Sequence, residues 1–440
     1  MSSMDYSVIE ETYPLDFREK DARTLGEQLA HKHSVNLIGM KRVGISNFLR
    51  FFLYHKEIVS TYISKEEKFL FIPVDLNDLV EREIYPFWSL TLKRIVDVVN
   101  LSELPGVNKK RIETLFSNSI QSQDLFLLTD SVRHAITETM AGGVFVVLFF
   151  LRFDRMRDAI TQQFFDNLQG LKDATHQRLS YVFTGFRSLD QLAPTVFTKH
   201  SLSVFSNTMY MKPAEEKDSK TIYETYRQRY SLSLTPQIES ALFEFVDGYV
   251  QYLQLALILL HEKREKQVST KDELFELLIR DERFHFQSEE LWESLTRDEK
   301  DIIQKVAKGE KVLPEEKAKA VYLWETGFIH EVGEKPTIFS PVFAHYLRTR
   351  DEKAMMANTT VHFSKKEHLL ITYLHEHKDL ICEREQIVEA VWPEYKDLGV
   401  SDWAIDRLVA RVRVKLKQQQ SEEEIITVRT RGYKLITTQI

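Results

Sequence analysis

The stretch NLIGMKRVGISNF (residues 36–48) carries the main signal for the fold of the first half of the chain. Apolar residues run into Gly39, a short basic loop follows, and a helical pattern begins after Gly44. The frame G-x-x-x-x-G-x-S ends at Ser46 and is that of a phosphate-binding loop, except that Ile45 stands where such a loop has lysine. The stretch predicts a strand, a loop and a helix in succession, and it leaves open whether phosphate chemistry survives there.

Strand-like apolar runs surround this loop in the sequence. They lie at 35–39, 68–76, 144–151 and 179–186, with longer helical stretches between them. Near-continuous apolar runs are typical of strands that are buried on both faces of a parallel sheet. Residues 1–212 are therefore predicted to form a doubly wound α/β domain.

Composition bounds the class of protein. The chain has 440 residues, of which 43% are hydrophobic and 28% charged, which is ordinary for a soluble protein of about two to four domains. The single cysteine, Cys382, excludes an internal disulfide and favours a reducing compartment. Neither a secretory signal nor an apolar run of membrane-spanning length is visible, so we expect a cytoplasmic protein with no membrane partner. With a net charge of −7, any nucleic-acid surface must be local.

The rest of the chain divides into further segments. Residues 213–280 have a helical pattern interrupted at Gly248, which predicts a helical lid. Residues 281–348 predict helices, two short strands and a last helix, as in a winged-helix packing module. The charged segment 349–360 has the composition of a linker, and 361–440 predict a separate domain. The expected fold class is multidomain, with an α/β P-loop NTPase-like domain, a helical lid and two winged helices.

The C-terminal segment gives the clearest functional signal. Two amphipathic helices precede VSDWAIDRLVARVRVKLK (400–417), and IITVRTRGYKLI (425–436) then predicts two strands around a basic turn. On a helical wheel one side of the third helix is apolar, formed by Ile405, Leu408, Val409, Val412 and Leu416. Basic residues fill most of the rest, namely Arg407, Arg411, Arg413, Lys415 and Lys417. A polarised helix beside a basic hairpin is expected where a helix lies in the major groove and a wing lies on the backbone.

This segment resembles the OmpR/PhoB-type winged-helix output domain of bacterial response regulators. The frame D-x-x-x-x-R-x-R-x-K-L runs from Asp406 to Leu416, and TVRTRGYKL (427–435) is close to the family's T-V-R-G-x-G-Y-R-L wing, with Thr430 at the usual first glycine. The resemblance implies double-stranded DNA as the partner and transcription regulation as the function. The expected DNA-binding residues are Arg407, Ala410, Arg411, Arg413, Val414, Lys415, Lys417, Arg429 and Arg431.

The first 350 residues resemble, in order and pattern, the STAND class of P-loop ATPases. PLDFREKDARTLGEQL (14–29) is similar to the segment that precedes the phosphate loop in that class, and DGYVQYLQ (247–254) is similar to its lid motif, with Val250 in place of the usual proline. The resemblance implies a binding site for ATP or ADP. Its residues in this chain are Gly39, Gly44, Ile45, Ser46, Asn47 and Asp154.

Hydrolysis in such a site requires a lysine at the phosphates, a hydroxyl on Mg²⁺ and acidic residues after an apolar strand. Ser46 is present, but Ile45 carries no charge. After the strand VFVVLFFL (144–151), Leu151 and Arg152 replace the acidic pair, and only Asp154 remains. We therefore expect an ATPase fold that has lost its chemistry, with no catalytic residues. ATP or ADP bound without hydrolysis is the only cofactor that this interpretation leaves open.

Two alternative functions stay open. Lys41 or Arg42 could replace the missing lysine, which would give an active, nucleotide-switched STAND ATPase. Alternatively, the chain is a non-catalytic scaffold subunit of a signalling or defence assembly, with a protein partner or a second copy bound through the ATPase-like domain. No metal site is expected, because pairs such as His31 and His33 are two residues apart and point to different sides of a helix.

Overall fold

The computed structural model describes residues 8–194, 196, 205, 207–263, 268–333, 335–357, 363, 365–392, 402–419, 421–428 and 431–437. These residues group into two compact units. The first contains the chain up to residue 275 together with 313–341, and the second contains 276–312 and 342–440.

A five-stranded parallel sheet forms the centre of the first unit. Its strands are β1 (Val35–Gly39), β2 (Lys68–Asp75), β3 (Val144–Leu151), β4 (Leu179–Gly185) and β5 (Asn207–Met211), in the spatial order β2-β3-β4-β1-β5. The loop after β1 thus lies at the carboxyl edge of the sheet, between the ends of β4 and β5. In open α/β sheets the ligand crevice lies at such a point, where the strand order reverses. The predicted parallel α/β sheet is confirmed.

Packing around β3 makes this edge rigid. Seven of its eight residues are buried, and its aromatic side chains meet those of the neighbouring helices and strands. The ring of Phe150 lies 4.9 Å from that of Phe87, and Phe153, just after the strand, lies 4.8 Å from Phe183. Aromatic pairs at these distances stabilise a core beyond the area that they bury. The residues that follow β3 are consequently held in fixed positions.

Helices surround the sheet and extend the first unit. They are α1 (Glu19–Ala30), α2 (Ile45–Tyr54), α3 (Ile84–Leu101), α4 (Lys109–Ser122), α5 (Leu125–Met140), α6 (Gln162–Ala174), α7 (Leu189–Leu192), α8 (Glu216–Tyr230), α9 (Pro236–Val246) and α10 (Val250–Glu262). The predicted interruption at Gly248 is confirmed. This glycine has φ +71°, and a Cβ there would lie 2.0 Å from the carbonyl oxygen of Ala214, so only glycine fits.

The segment predicted as a packing module is divided between the two units. Helices α14 (Pro314–Lys319) and α15 (Val321–Glu325) and the antiparallel pair β6 (Ile329–Val332) and β7 (Lys335–Ile338) group with the first unit. Helices α12 (Glu282–Glu293) and α13 (Arg297–Ala307) group with the second. The two predicted short strands are confirmed. Helix α11 (Lys271–Arg280) precedes α12.

The second unit ends in a small domain of helices and strands. Helix α16 (Pro341–Ala357) covers most of the predicted linker, whose residues 358–360 lie outside the described residues. Next come α17 (Lys365–Glu376), β8 (Cys382–Glu383), α18 (Arg384–Val391), α19 (Asp402–Gln418), β9 (Glu423–Val428) and β10 (Gly432–Thr437). The strands form an antiparallel sheet in the order β8-β10-β9.

The apolar face predicted for the third helix of this domain is confirmed. All five of its apolar residues are buried, in one core with side chains of the other helices and the sheet: Ile405, Leu408, Val409, Val412 and Leu416. The burial fixes which side of α19 faces away from the core. The remaining side chains of α19 are consequently the candidates for an interface.

Candidate nucleic-acid interface and phosphate loop

Hydrogen bonds join α19 to the hairpin of β9 and β10. The hydroxyl of Tyr433 donates to Asp406 Oδ1, and Arg384 Nη2 lies 2.6 Å from the same carboxylate oxygen. Burial and the neighbouring Asp406 carboxylate raise the pKa of Tyr433, so the phenol keeps its proton and remains a donor. Two motif residues that the sequence placed far apart, Asp406 and Tyr433, therefore hold the helix and the hairpin together.

Arg413 strengthens the same junction. Its Nε donates to the carbonyl oxygen of Ile425 at 2.7 Å, and its Nη2 donates to Thr427 Oγ1 at 2.9 Å. Both acceptors belong to β9. The guanidinium of this predicted DNA-binding residue thus braces the hairpin in the structure.

The predicted DNA-binding residues differ in their exposure. Val414 is 55% exposed, which is unusual for a large apolar side chain, and Lys417 and Arg431 are exposed as well. Ala410 is half-buried. Arg429 lies outside the described residues. The exposed side chains are therefore Val414 and Lys417 on α19 and Arg431 just before β10.

Arg407 and Arg411 are paired with carboxylates of α12, a helix that the sequence did not connect with them. Arg407 Nη2 lies 3.0 Å from Glu293 Oε1, and Arg411 Nη1 lies 3.0 Å from Glu289 Oε2. The Glu289 side chain is only 10% exposed. These two arginines, one helical turn apart, are therefore partly covered in the structure.

Lys415 is paired within the C-terminal domain itself. Its Nζ lies 2.5 Å from Glu367 Oε2, and Arg411 Nε lies 3.5 Å from the other oxygen of that carboxylate. Glu367, on α17, is nearly fully buried. A buried carboxylate needs such partners, because ionised groups are costly to remove from water. The partnership gives Lys415 and Arg411 a role in the domain's own stability.

In the first unit, α10 holds the phosphate loop in place. The hydroxyl of Tyr249 donates to the carbonyl oxygen of Lys41 at 2.6 Å. Gly44 has φ +114°, and a Cβ there would lie 2.6 Å from Val250 Cγ2. The conformation of the loop consequently depends on the first residues of α10, where the predicted lid motif lies.

Arg152 occupies the space beside the loop's hydroxyl. The residue has φ +59°, and its backbone N–H donates to Thr184 Oγ1 at 2.8 Å. Its guanidinium pairs with Asp75 at the end of β2 and places Nη2 3.5 Å from Ser46 Oγ. A positive side chain therefore lies next to the hydroxyl that would bind Mg²⁺ in a nucleotide site.

The basic residues of the loop have other neighbours. The ammonium of Lys41 lies 4.8 Å from the centre of the Phe186 ring, and Arg42 Nη1 lies 3.5 Å from Gln251 Oε1. Burial raises the pKa of Asp154 above its ordinary value, although the charge of Lys41 acts in the opposite direction. The remaining carboxylate of the site therefore holds its proton more tightly than a free aspartate does.

Two further residues of the predicted nucleotide site pack inward. Ile45 Cδ1 would lie 3.3 Å from a Cβ on Gly39, so its side chain lies against the first glycine of the loop. Asn47 is buried and donates through Nδ2 to Glu10 Oε1 at 3.2 Å, and Arg50 Nε donates to the same oxygen at 2.7 Å. Asn47 thus connects α2 to the N-terminal segment.

Three helices followed by an antiparallel hairpin, with the third helix basic on its outer side, make the C-terminal part of the chain a winged-helix domain. Residues 358–435 match the family described as "Transcriptional regulatory protein, C terminal". This domain is of the OmpR/PhoB type, and the predicted resemblance is confirmed.

Several solved structures are similar to the chain. The Walker-type ATPase of Pyrococcus abyssi is 18% identical, with a TM-score of 0.47, over 75% of this chain and 95% of that one. The ORC2 protein of Aeropyrum pernix, solved with ADPNP and ADP, is 12% identical, with a TM-score of 0.43, over 78% and 96%. The ORC1 protein of the same organism, in complex with DNA, is 11% identical, with a TM-score of 0.36, over 100% and 92%. A comparison with curated proteins found no match.

Neither a membrane-spanning helix nor a metal site occurs among the residues that the structure describes. None of the helices in these ranges has both the length and the apolar character needed to cross a membrane. Among the same residues, no three His, Cys, Asp or Glu side chains are grouped as a metal site. Cys382 is buried in the core of the winged helix, and burial raises the pKa of its thiol, which disfavours the reactive thiolate.

Proposed function

We propose that this chain is a DNA-binding transcriptional regulator in which an ATPase-like body carries a C-terminal winged helix. The observation that carries the proposal is the family match over residues 358–435, on a domain whose third helix and hairpin are both basic. In this proposal α19 lies in the major groove and the hairpin contacts the backbone. The division into domains at 1–212, 213–280, 281–348, 349–360 and 361–440 belongs to the same proposal.

The exposed side chains of the domain suit a duplex. Lys417 and Arg431 are long and positively charged, which is what phosphate contacts require. Val414 is apolar and exposed, and such a side chain can lie against a thymine methyl group in the major groove. The other proposed DNA-binding residues are Arg407, Ala410, Arg411, Arg413, Lys415 and Arg429.

The ATPase-like body is, in our proposal, a STAND-like scaffold that no longer hydrolyses nucleotides. Two independent changes support this. Ile45 replaces the lysine that would neutralise the phosphates, and Arg152 brings a guanidinium to 3.5 Å from Ser46 Oγ. Mg²⁺ takes oxygen ligands and would meet a like charge at that position. ATP or ADP bound without hydrolysis is the remaining role that we propose for the loop.

Binding of a duplex by the full chain tests the main proposal. The probe is a fluorescein-labelled duplex of mixed sequence, titrated at several salt concentrations. A Lys417→Ala/Arg431→Ala variant should bind more weakly, and the slope of log affinity against log salt should fall by about 1.8, because each lost phosphate contact contributes about 0.9.

A matched control separates this surface from overall charge. Lys56→Ala/Lys65→Ala removes two exposed positive charges from the first unit and should leave both affinity and slope unchanged. If neither the wild-type chain nor Glu289→Gln/Glu293→Gln, which lacks the carboxylates that pair with Arg407 and Arg411, binds the duplex at low salt, DNA binding is refuted and the scaffold alternative is favoured. Equal losses in both variants would show that net charge, and not the winged helix, determines the binding.

A further inference from the structure

One face of α12 carries acidic residues around a central aromatic side chain. Glu282, Phe286, Glu289 and Glu293 follow one another at intervals of four, three and four residues, so they lie along one side of the helix. We call this face the acidic stripe. Like the winged helix, α12 belongs to the second unit.

The acidic stripe binds the outer side of α19 through its carboxylates. Glu289 lies between two arginines, with Oε1 at 3.4 Å from Arg407 Nε and Oε2 at 3.0 Å from Arg411 Nη1. Glu293 adds a second contact to Arg407, at 3.0 Å. A guanidinium that spans two carboxylates has the partners that it would otherwise find in the phosphates of a duplex.

The aromatic centre of the stripe extends the contact toward α17. The guanidinium carbon of Arg411 lies 5.2 Å from the centre of the Phe286 ring, and the ammonium of Lys366 lies 5.8 Å from it. Lys366 Nζ is also 3.7 Å from Glu282 Oε2. Every residue of the acidic stripe thus meets a cation of the winged-helix domain.

In this contact one N–H donor of Arg411 makes no hydrogen bond to any residue that the structure describes. Among the described residues, Arg411 Nε is buried and makes no hydrogen bond, although it forms an ion pair with Glu367 Oε1 at 3.5 Å. A buried donor without an acceptor destabilises the arrangement that contains it. Arg411 would therefore gain a hydrogen bond if it left α12 for an acceptor on a base edge or a phosphate.

The place where α12 contacts α19 determines whether DNA can bind at the same time. Recognition helices of this kind enter the major groove and contact base edges through their N-terminal part. Arg407 and Arg411 lie in the first three turns of α19, which begins at Asp402. The space that DNA would need beside these two side chains is taken by α12.

We propose that the acidic stripe of α12 masks the DNA-binding face of α19, and that α12 and DNA exclude one another. The proposal rests on the proposed function and adds a regulatory contact to it. Duplex binding then requires that α12 release Arg407 and Arg411. The apparent affinity of the full chain for the duplex is the intrinsic affinity multiplied by the fraction of molecules in which this face is uncovered.

Removal of the charges of the acidic stripe tests, in the full chain, whether α12 masks α19. Glu289→Gln/Glu293→Gln keeps the size of both side chains and removes their charge. This variant should bind the mixed-sequence duplex about tenfold more tightly than the wild-type chain, because the covered fraction falls. Thermal unfolding of the variant checks that the second unit stays folded.

The control for this experiment is Glu81→Gln/Glu103→Gln, which changes the net charge equally at two exposed sites of the first unit. It should bind as the wild type does. Equal affinity of the wild-type chain and of Glu289→Gln/Glu293→Gln for the duplex would overturn the proposal that α12 masks α19 and would leave DNA binding intact. A tenfold gain in the control would overturn it too, since the effect would then come from net charge. Absence of binding in all three proteins would refute DNA binding itself, and the mask with it.

Hydrogen exchange of the wild-type chain gives a second readout that needs no variant. At saturating duplex, backbone exchange should rise in residues 282–293 as α12 is released, and it should fall in residues 402–418. Protection of α19 with unchanged exchange in α12 would show that both bind together, and would overturn the proposal.

Discussion

Replacement of Arg152 tests most directly why the ATPase-like body should be inactive. A Mg²⁺ ion bound to Ser46 Oγ at about 2.1 Å would lie roughly 4 Å from the guanidinium of Arg152, whose Nη2 is 3.5 Å from that oxygen. Two unit charges at this distance repel by about 4 kcal/mol at an effective dielectric constant of 20, and a divalent ion doubles the value to about 8 kcal/mol. The Arg152 side chain is 38% exposed and is paired with the Asp75 carboxylate, so screening by solvent and the opposite charge of Asp75 reduce the penalty to roughly 3 kcal/mol.

A penalty of this size corresponds to about a hundredfold loss of Mg²⁺ affinity. We expect that Arg152→Ala, in the presence of ADP, binds Mg²⁺ at least about a hundredfold more tightly than the wild-type chain does. Isothermal titration with and without ADP measures this directly. Hydrolysis should remain absent in the wild type, in Arg152→Ala and in Ile45→Lys, because each still lacks part of the machinery.

Arg157→Ala is the matched control, because it removes an exposed positive charge from the same segment, and it should leave the Mg²⁺ affinity unchanged. Equal Mg²⁺ affinity in Arg152→Ala and the wild type would refute the electrostatic argument. Phosphate release by the wild-type chain that is lost in Ser46→Ala or Asp154→Ala would refute the inactive body itself.

Three further predictions concern single positions. Arg431→Ala should weaken binding to all duplex sequences similarly and reduce the salt slope by about 0.9, as measured by fluorescence anisotropy. Gly44→Ala should lower the free energy of unfolding by on the order of 1–3 kcal/mol, because of its φ of +114° and its contact with Val250, and Val250→Ala should restore part of the loss in denaturant titrations. Asp154→Asn should stabilise the first unit at neutral pH but not at pH 3, as thermal unfolding at both pH values should show. Burial raises the pKa of Asp154 in the folded state above its ordinary value of 3.8, so the free energy of unfolding of the wild type falls as pH rises from 3.8 through the raised pKa.

The sheet shows what apolar patterning can and cannot predict. Strands β1, β3 and β4 were predicted because they are buried on both faces and form continuous apolar runs. Strand β2 lies at the edge of the sheet and buries only two of its eight residues, but its long apolar run still predicted it. Strand β5 has the sequence NTMYM and buries only Met209 and Met211. An edge strand of five residues with two buried side chains carries too little apolar signal to be separated from a loop, so its place in the sheet depends on pairing with β1.

The candidate sites were predicted less completely, because side-chain partners come from distant parts of the chain. The helical wheel identified the buried face of α19, but the carboxylate that joins Arg407 and Arg411 belongs to Glu289, 118 residues before Arg407. The resemblance to STAND ATPases likewise predicted that Arg152 stands where an acidic residue is usual. Its reach to Ser46 depends on the left-handed backbone at Arg152, which no local pattern indicates. The hydroxyl and the guanidinium are 106 residues apart in the chain.

The bonds among Asp406, Tyr433 and Arg384 have a consequence for the kind of DNA that the domain can bind. They tie the helix and the hairpin into one rigid template, so the span between groove and backbone contacts cannot adapt to the duplex. The duplex has to adjust its own groove width and curvature to that span. Flexible pyrimidine–purine steps make this adjustment less costly than stiff A-tracts do. Base steps that no side chain reaches would then contribute to sequence preference through their bendability.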